Sequence, residues 1–137
     1  MRRRGFTGTR NPPASARDSI RLYLMTLSPM VDELVIGCCV GVDQIVGREG
    51  RKLGFKVHGI VPANRSQVPT YYRDFCTTTE HMPDDTDYMD RNQRIVDVSV
   101  DLTAFPLDST ERQRSGTWAT VRRARKANKP VIILPLS

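Results

Sequence analysis

The stretch Glu33-Leu34-Val35-Ile36-Gly37-Cys38-Cys39-Val40-Gly41-Val42-Asp43 carries an apolar run into a glycine-bracketed turn and then into an acidic residue that opens a helical pattern. Contiguous Leu34, Val35 and Ile36 read as a strand from Glu33 to Cys38 buried on both faces, because a strand with one wet face alternates. A strand that ends in small residues and opens a helix directs unpaired backbone N–H groups at a cleft, which is how proteins hold phosphate without metal. The same ending recurs at Phe6-Thr7-Gly8-Thr9-Arg10 and at Ser115-Gly116-Thr117-Trp118.

Outward from that stretch, strand and helix signals alternate. Arg4 to Thr9 reads as a first strand, and Asn11-Pro12-Pro13 as a loop, since neither a helix interior nor a central strand admits two prolines. Ser15 is the cap candidate for a helix to about Ser28, with Ile20, Tyr23, Leu24 and Leu27 on its sheet-facing side. A helix from Gly41 to Leu53 ends on Gly54, a left-handed terminator. Lys56 to Val61 is a third strand. From Ala63 to about Asp87 no periodicity is sustained, and so long an irregular stretch in a small domain usually carries function or disorder. Its Tyr71, Tyr72, Phe75 and His81 offer a stacking surface for a base or ordinary loop packing. A helix near Tyr88 to Ser99, a strand from Leu102 to Phe105, a polar loop from Pro106 to Arg114, a helix from Trp118 to Ala127 and a strand from Val131 to Leu134 complete the order.

This alternation predicts an α/β fold: a Rossmann-like, doubly wound three-layer sandwich around a mainly parallel five-stranded sheet, with residues 1–137 forming a single domain. Ligands of such sheets bind beyond the carboxyl ends of the strands where the winding reverses, so Thr7 to Arg10, Gly37 to Asp43 and Ser115 to Thr117 are expected on one edge. Neither GxGxxG nor GxxxxGK[ST] is present, which argues against dinucleotide dehydrogenases and P-loop NTPases.

Composition bounds the partners. The formal charge of +6 favours acidic ligands, including nucleotides and nucleic acid. The excess gathers at Arg2-Arg3-Arg4 and along Arg122 to Lys129, read as a solvated helix face or a nucleic-acid surface. No apolar run approaches the roughly 20 residues that cross a bilayer, so a cytoplasmic location without membrane contact is expected. Three cysteines, Cys38, Cys39 and Cys76, fit a reducing compartment; they fill strand ends or take metal or redox roles. His58 reads as a packed core residue, and no zinc spacing is evident, so no metal site is expected.

Gly8-Thr9-Arg10, Gly37 to Asp43, Arg91-Asn92-Gln93-Arg94-Ile95, and Ser115-Gly116-Thr117-Trp118 ahead of Arg125 to Val131 together resemble the SLOG superfamily of Rossmann-like nucleotide-binding proteins. That group includes the DNA-processing protein A family, YspA-like proteins and the Lonely Guy phosphoribohydrolases often labelled lysine decarboxylases. The resemblance implies a nucleotide-binding loop set: Gly8, Thr9, Arg10, Gly37, Gly41, Asp43, Arg91, Asn92, Ser115, Gly116 and Thr117. Gly8, Gly37 and Gly41 would allow close approach, Arg10 would reach an anionic oxygen, and Ser115 to Thr117 would cradle phosphate at a helix N-terminus. Asp43 would accept from a ribose hydroxyl or cap its helix, Arg91 would point over the cleft, and Asn92 would fix a neighbouring loop.

Whether chemistry follows stays open at this point. The phosphoribohydrolase branch cuts the N-glycosidic bond with an arginine at the place of Arg91 and a glutamate from GGxGTxxE; here Gln113 and Arg114 replace the first two glycines and Thr120 the glutamate. Asp43, Asp87 and Asp90 are the other carboxylates that could stand in, with Arg91 and Asp43 the catalytic pair if there is one. The expected function is binding of a nucleotide or nucleotide-derived small molecule, as sensor, carrier or sequestering protein, with no other cofactor. Nucleoside 5′-monophosphate hydrolysis and single-stranded DNA binding are the alternatives. A homodimer or higher homo-oligomer is expected.

Overall fold

The computed structural model describes residues 1–137. Strand β1 (Arg2–Gly8), helix α1 (Ala16–Leu24), β2 (Asp32–Ile36), α2 (Val42–Lys52), β3 (Lys56–Val61), a 3-10 turn (Tyr72–Phe75), β4 (Thr78–His81), α3 (Tyr88–Val98), β5 (Asp101–Phe105), α4 (Gly116–Lys126) and β6 (Val131–Ile133) follow in order. They form one sheet in the order β4-β3-β2-β1-β5-β6, with every neighbouring pair parallel.

The strands that cross the middle of the sheet are apolar on both faces, and the faces are filled separately. Phe6, Ile20, Leu24, Leu34, Ile36, Val46 and Phe75 belong to one buried cluster, built with α1 and α2. Val35, Ile60, Ile95, Leu102, Trp118 and Val121 belong to the other, built with α3 and α4. This is the doubly wound, Rossmann-like architecture expected of alternating strands and helices. Chain order runs outward from β1 through β2 and β3 to β4, then returns to β1's other side at β5. The winding therefore reverses between β1 and β5, and a crevice opens above their carboxyl ends.

The sheet has six strands, not five. β4 lies within the stretch that shows no periodicity, because Thr78-Thr79-Glu80-His81 carries no apolar alternation to read. Its place is fixed by pairing with β3 in the register His58↔Thr78 to Val61↔His81. Side chains reinforce this pairing: His58 Nδ1 lies 2.7 Å from Thr78 Oγ1 and Nε2 3.2 Å from Glu80 Oε1. His58 is buried as expected, but it acts as a polar strap between strands. Helix boundaries shift too. α1 stops at Leu24, short of Ser28, and Ser15 precedes it without a side-chain capping bond. α4 starts two residues early, at Gly116, with Ser115 Oγ facing the Trp118 N–H at 3.4 Å.

Arg2-Arg3-Arg4 is not a free cationic patch. Arg4 Nε donates to Asp32 Oδ1 at 2.9 Å and its Nη1 to Asp101 Oδ2 at 2.6 Å, while Arg2 also reaches Asp32 and Arg3 reaches Glu33. Burial alone would raise the Asp32 carboxyl, but the Arg4 hydrogen bond, the Ser28 N–H and the charges of Arg4 and Arg2 outweigh it and hold Asp32 below the usual carboxylate range. A carboxyl lowered by folding stabilises the fold above its ordinary value of about 3.9 and loses that contribution as pH falls through the folded value. Asp32→Asn is therefore expected to cost about 2–3 kcal/mol at neutral pH. In denaturant titrations the gap to the parent should narrow as pH falls below the ordinary carboxylate range, because protonation removes the contribution of the lowered Asp32 carboxyl.

Candidate functional site

The crevice predicted from topology is a cleft of about 450 Å³, inside the range of small-ligand sites. Four segments wall it: Phe6 to Arg10 at the end of β1, Cys39, Val40 and Asp43 between β2 and α2, Arg91, Asn92 and Ile95 from α3, and the β5–α4 segment from Pro106 through Ser115-Gly116-Thr117. Segments more than a hundred residues apart thus meet on one rim, as the strand-end pattern predicted. Gly37 and Gly41 stand just behind the rim and shape it indirectly.

The β1 and β2 turns cross in direct contact. The Thr9 carbonyl accepts the Val42 N–H at 3.0 Å, so the first amide of α2 is satisfied by protein and is closed to a ligand. Gly41 adopts φ +90, a region that disfavours side chains, and a Cβ there would sit 2.6 Å from the backbone of Arg10 and from the Thr9 carbonyl. Gly8 likewise makes room for Val42 and not for a ligand, because a Cβ would overlap that side chain. Thr9 Oγ1 accepts the Asn11 N–H at 3.1 Å, which shapes the turn into the proline pair.

Arg91 is 5% exposed yet pairs with no carboxylate. Its Nη1 donates to the Gly37 carbonyl and lies 3.6 Å from Cys39 Sγ, and its Nε donates to Asn92 Oδ1 at 2.9 Å. Tyr88 supports the guanidinium carbon from 5.5 Å and that of Arg10 from 4.8 Å, a cationic double contact that the sequence reading missed. Gly37 is required because a Cβ would fall on the Arg91 guanidinium. Asn92 is thus a partner of Arg91 itself and not of a loop.

Asp43 lies in the first turn of α2 but does not cap it; Gly41 occupies the cap position. Its Oδ2 accepts the Cys39 N–H at 3.1 Å, tying the turn back on itself. Burial pushes the Asp43 carboxyl upward, and the Arg91 charge, the N–H groups of Cys39 and Gly37, and Arg10 pull back without cancelling it. Burial and the nearby Asp43 also push the Cys39 thiol up, so Cys39 is a neutral neighbour of Arg91.

At α4, Ser115 has extended backbone and faces Trp118, and its carbonyl takes the Ala119 N–H. The Gly116 and Thr117 N–H groups have no protein acceptor. Nothing lies within 4 Å of a Cβ built on Gly116, so open space stands beside this residue on the cleft wall. Arg10 and Arg114 line the same cleft and, like Arg91, are free of carboxylate partners. Arg112 is engaged by Asp108 at 2.6 Å.

Several expected contributors lie elsewhere. Asp87 and Asp90 form a reciprocal capping box at the start of α3, with both carboxylates used on backbone N–H groups. Tyr72 and Phe75 are buried in the core, and Tyr71 sits under Arg48, so none of the three offers a stacking surface in the cleft. His81 is bound to Arg65 at 2.9 Å, away from the rim. Thr120 is fully buried and donates to the Gly116 carbonyl at 2.8 Å.

No protein-family model and no curated protein matches the chain. Among solved structures, the Rossmann-like fold recurs in several proteins of low sequence identity. DNA processing protein A from Streptococcus pneumoniae superposes with TM-score 0.81 at 16% identity, over 100% of this chain and 51% of that one. The structural-genomics target TM1055 gives 0.73 at 21% identity over 96% of this chain and 72% of that one. DNA processing protein A from Helicobacter pylori, whose structure is described in terms of single-stranded DNA binding, gives 0.74 at 18%, over 98% and 65%. The chain thus spans about half to two thirds of the DNA-processing proteins it matches, and at these identities the likeness is one of fold. No helix is long and apolar enough to cross a membrane.

Proposed function

We propose that the cleft binds a phosphate-bearing, nucleotide-like small molecule. The observation that carries this reading is the convergence of three carboxylate-free guanidiniums, Arg10, Arg91 and Arg114, with the two unpaired amides at the start of α4. Arg91 is buried without a direct ion-pair partner, with only the Asp43 carboxyl near enough to feel its charge, and a bound anion adds the compensation it lacks. Phosphate seats at Gly116 and Thr117, where free N–H groups and the helix dipole favour negative charge. Asp43, on the opposite wall, accepts from a sugar hydroxyl.

Binding is favoured over glycoside hydrolysis. Cutting the N-glycosidic bond develops positive charge on the ribose and calls for a carboxylate beside the anomeric carbon. Thr120, at the glutamate's place in the resembling enzymes, faces its own helix, and a threonine hydroxyl cannot supply that charge. Of the carboxylates lining the cleft, Asp108 is held by Arg112, which leaves Asp43 alone.

Calorimetry with AMP, ADP-ribose, NAD and cyclic nucleotides is expected to show binding that the unphosphorylated nucleosides lack; no binding by any at millimolar concentration sinks the reading. Gly116→Ala separates site from fold. The methyl enters open space, so stability should hold or rise by about 0.5 kcal/mol. Affinity should fall about tenfold because the methyl occupies the phosphate seat. A second reading, single-stranded DNA binding, draws on the same free arginines. It predicts a steep decline of affinity with salt, near 0.7 per neutralised phosphate on logarithmic axes, against a shallow decline for a mononucleotide.

A further inference from the structure

We infer that Cys38 and Cys76 form a redox-sensitive pair whose oxidation to a disulfide distorts the β2–α2 turn and weakens the anion cleft; this consequence rests on the binding reading above, whereas the disulfide itself does not. The two sulfurs lie 3.7 Å apart in the core, 38 residues apart in sequence, and both are free thiols. They meet over Gly59 of β3, where a Cβ would collide with both sulfurs, so the absence of a side chain there reserves the space in which they touch. Cys38 takes φ +65, a left-handed conformation rare outside glycine. Bonding requires the sulfurs to close by about 1.7 Å, to the roughly 2.05 Å of a disulfide.

What that closure moves is the floor of the cleft. Cys38 stands between Gly37, whose carbonyl holds Arg91, and Cys39, whose N–H holds Asp43 and whose sulfur touches Arg91. Drawing Cys38 toward β3 and Cys76 pulls on both neighbours at once. The reaction needs a two-electron oxidant, and a hydroperoxide supplies it. Cys76 is the more exposed of the pair, and when Cys38 donates the S–H of their 3.7 Å contact the Cys76 thiolate is favoured. The Cys76 thiolate attacks one peroxide oxygen, the O–O bond breaks, and a sulfenic acid and hydroxide form. Hydroxide takes the Cys38 proton, the Cys38 sulfur attacks the Cys76 sulfur, and hydroxide leaves as the S–S bond closes. With hydrogen peroxide, two thiols and one peroxide give one disulfide and two waters, with two electrons passing from sulfur to oxygen.

The full chain, treated with hydrogen peroxide and digested with trypsin, should yield the peptide Leu22–Arg48 linked to Asp74–Arg91, with the loss of two hydrogens. The link should persist in Cys39→Ser and vanish in Cys38→Ser, with reduced protein as the reference. Alkylation of the buried Cys39 by iodoacetamide should accelerate at least about tenfold on oxidation as the distorted turn exposes its sulfur, and dithiothreitol should reverse the change. AMP affinity should fall by a similar factor. Absence of the link, its presence in Cys38→Ser, or a link that leaves Cys39 reactivity unchanged would overturn the inference. Failure of AMP to bind the reduced protein defeats the cleft reading instead, and Cys39 reactivity still decides this one.

Discussion

Replacing Arg91 with methionine is expected to abolish most anion binding, raising the Kd for a 5′-phosphorylated nucleoside about 100-fold, while Arg91→Lys recovers only part. The guanidinium does two jobs that methionine cannot. It presents charge to the cleft from a site 5% exposed, where screening by water is weak, and it holds the Gly37 carbonyl. Truncating a buried, hydrogen-bonded charge typically costs 2–5 kcal/mol, and about 2.7 kcal/mol corresponds to the stated factor. A lysine keeps the charge but cannot donate in two directions from a rigid plane, to Gly37 and to Asn92. Calorimetry on the three proteins reads the affinities. Equal affinity for parent and methionine variant would show that Arg91 serves only to fix the turn.

Gly41→Ala should be the most damaging single-methyl addition in the turn, costing about 3 kcal/mol or more in urea unfolding. Two penalties combine: φ +90 is strained for any residue with a Cβ, and the added methyl meets backbone atoms of Thr9 and Arg10 that have no rotamer with which to escape. Gly54→Ala is the matched control. It has nearly the same φ, +92, but nothing lies within 4 Å of its Cβ, so only the conformational penalty of about 1 kcal/mol applies. A small difference between the two variants would mean that the β1 and β2 turns separate readily.

Helices and central strands were legible because burial on two faces imposes patterns that survive in one dimension: contiguous apolar Leu34-Val35-Ile36, and Ile20 and Leu24 one turn apart. β4 was not, because an edge strand with polar side chains is specified by its partner's backbone, and His58, read as a packed core residue, carried no sign of the strap it provides. For the site, small residues at strand ends led to Thr7 to Arg10, Asp43 and Ser115 to Thr117, all of which line one cleft. What local reading could not resolve was which groups were already taken. Asp87 and Asp90 are spent on each other's backbone, and Tyr72 and Phe75 on the core. Conversely Arg114, which marks a departure from the resembling motif, and Tyr88, ordinary at the start of a helix, acquire their places only when the β5–α4 loop and α3 are brought to the rim.

The locked crossing of the first two turns also makes the two sides of the cleft mechanically unequal. Thr9, Gly41 and Val42 are backbone against backbone, whereas residues 107–114 are tethered largely by exposed side-chain pairs, Asp108 with Arg112 and Glu111 with Arg122. Accommodation of guests of different size therefore falls to the β5–α4 flank, an anvil-and-hammer arrangement in which amide exchange should be slow along the stationary side and fast along the moving one.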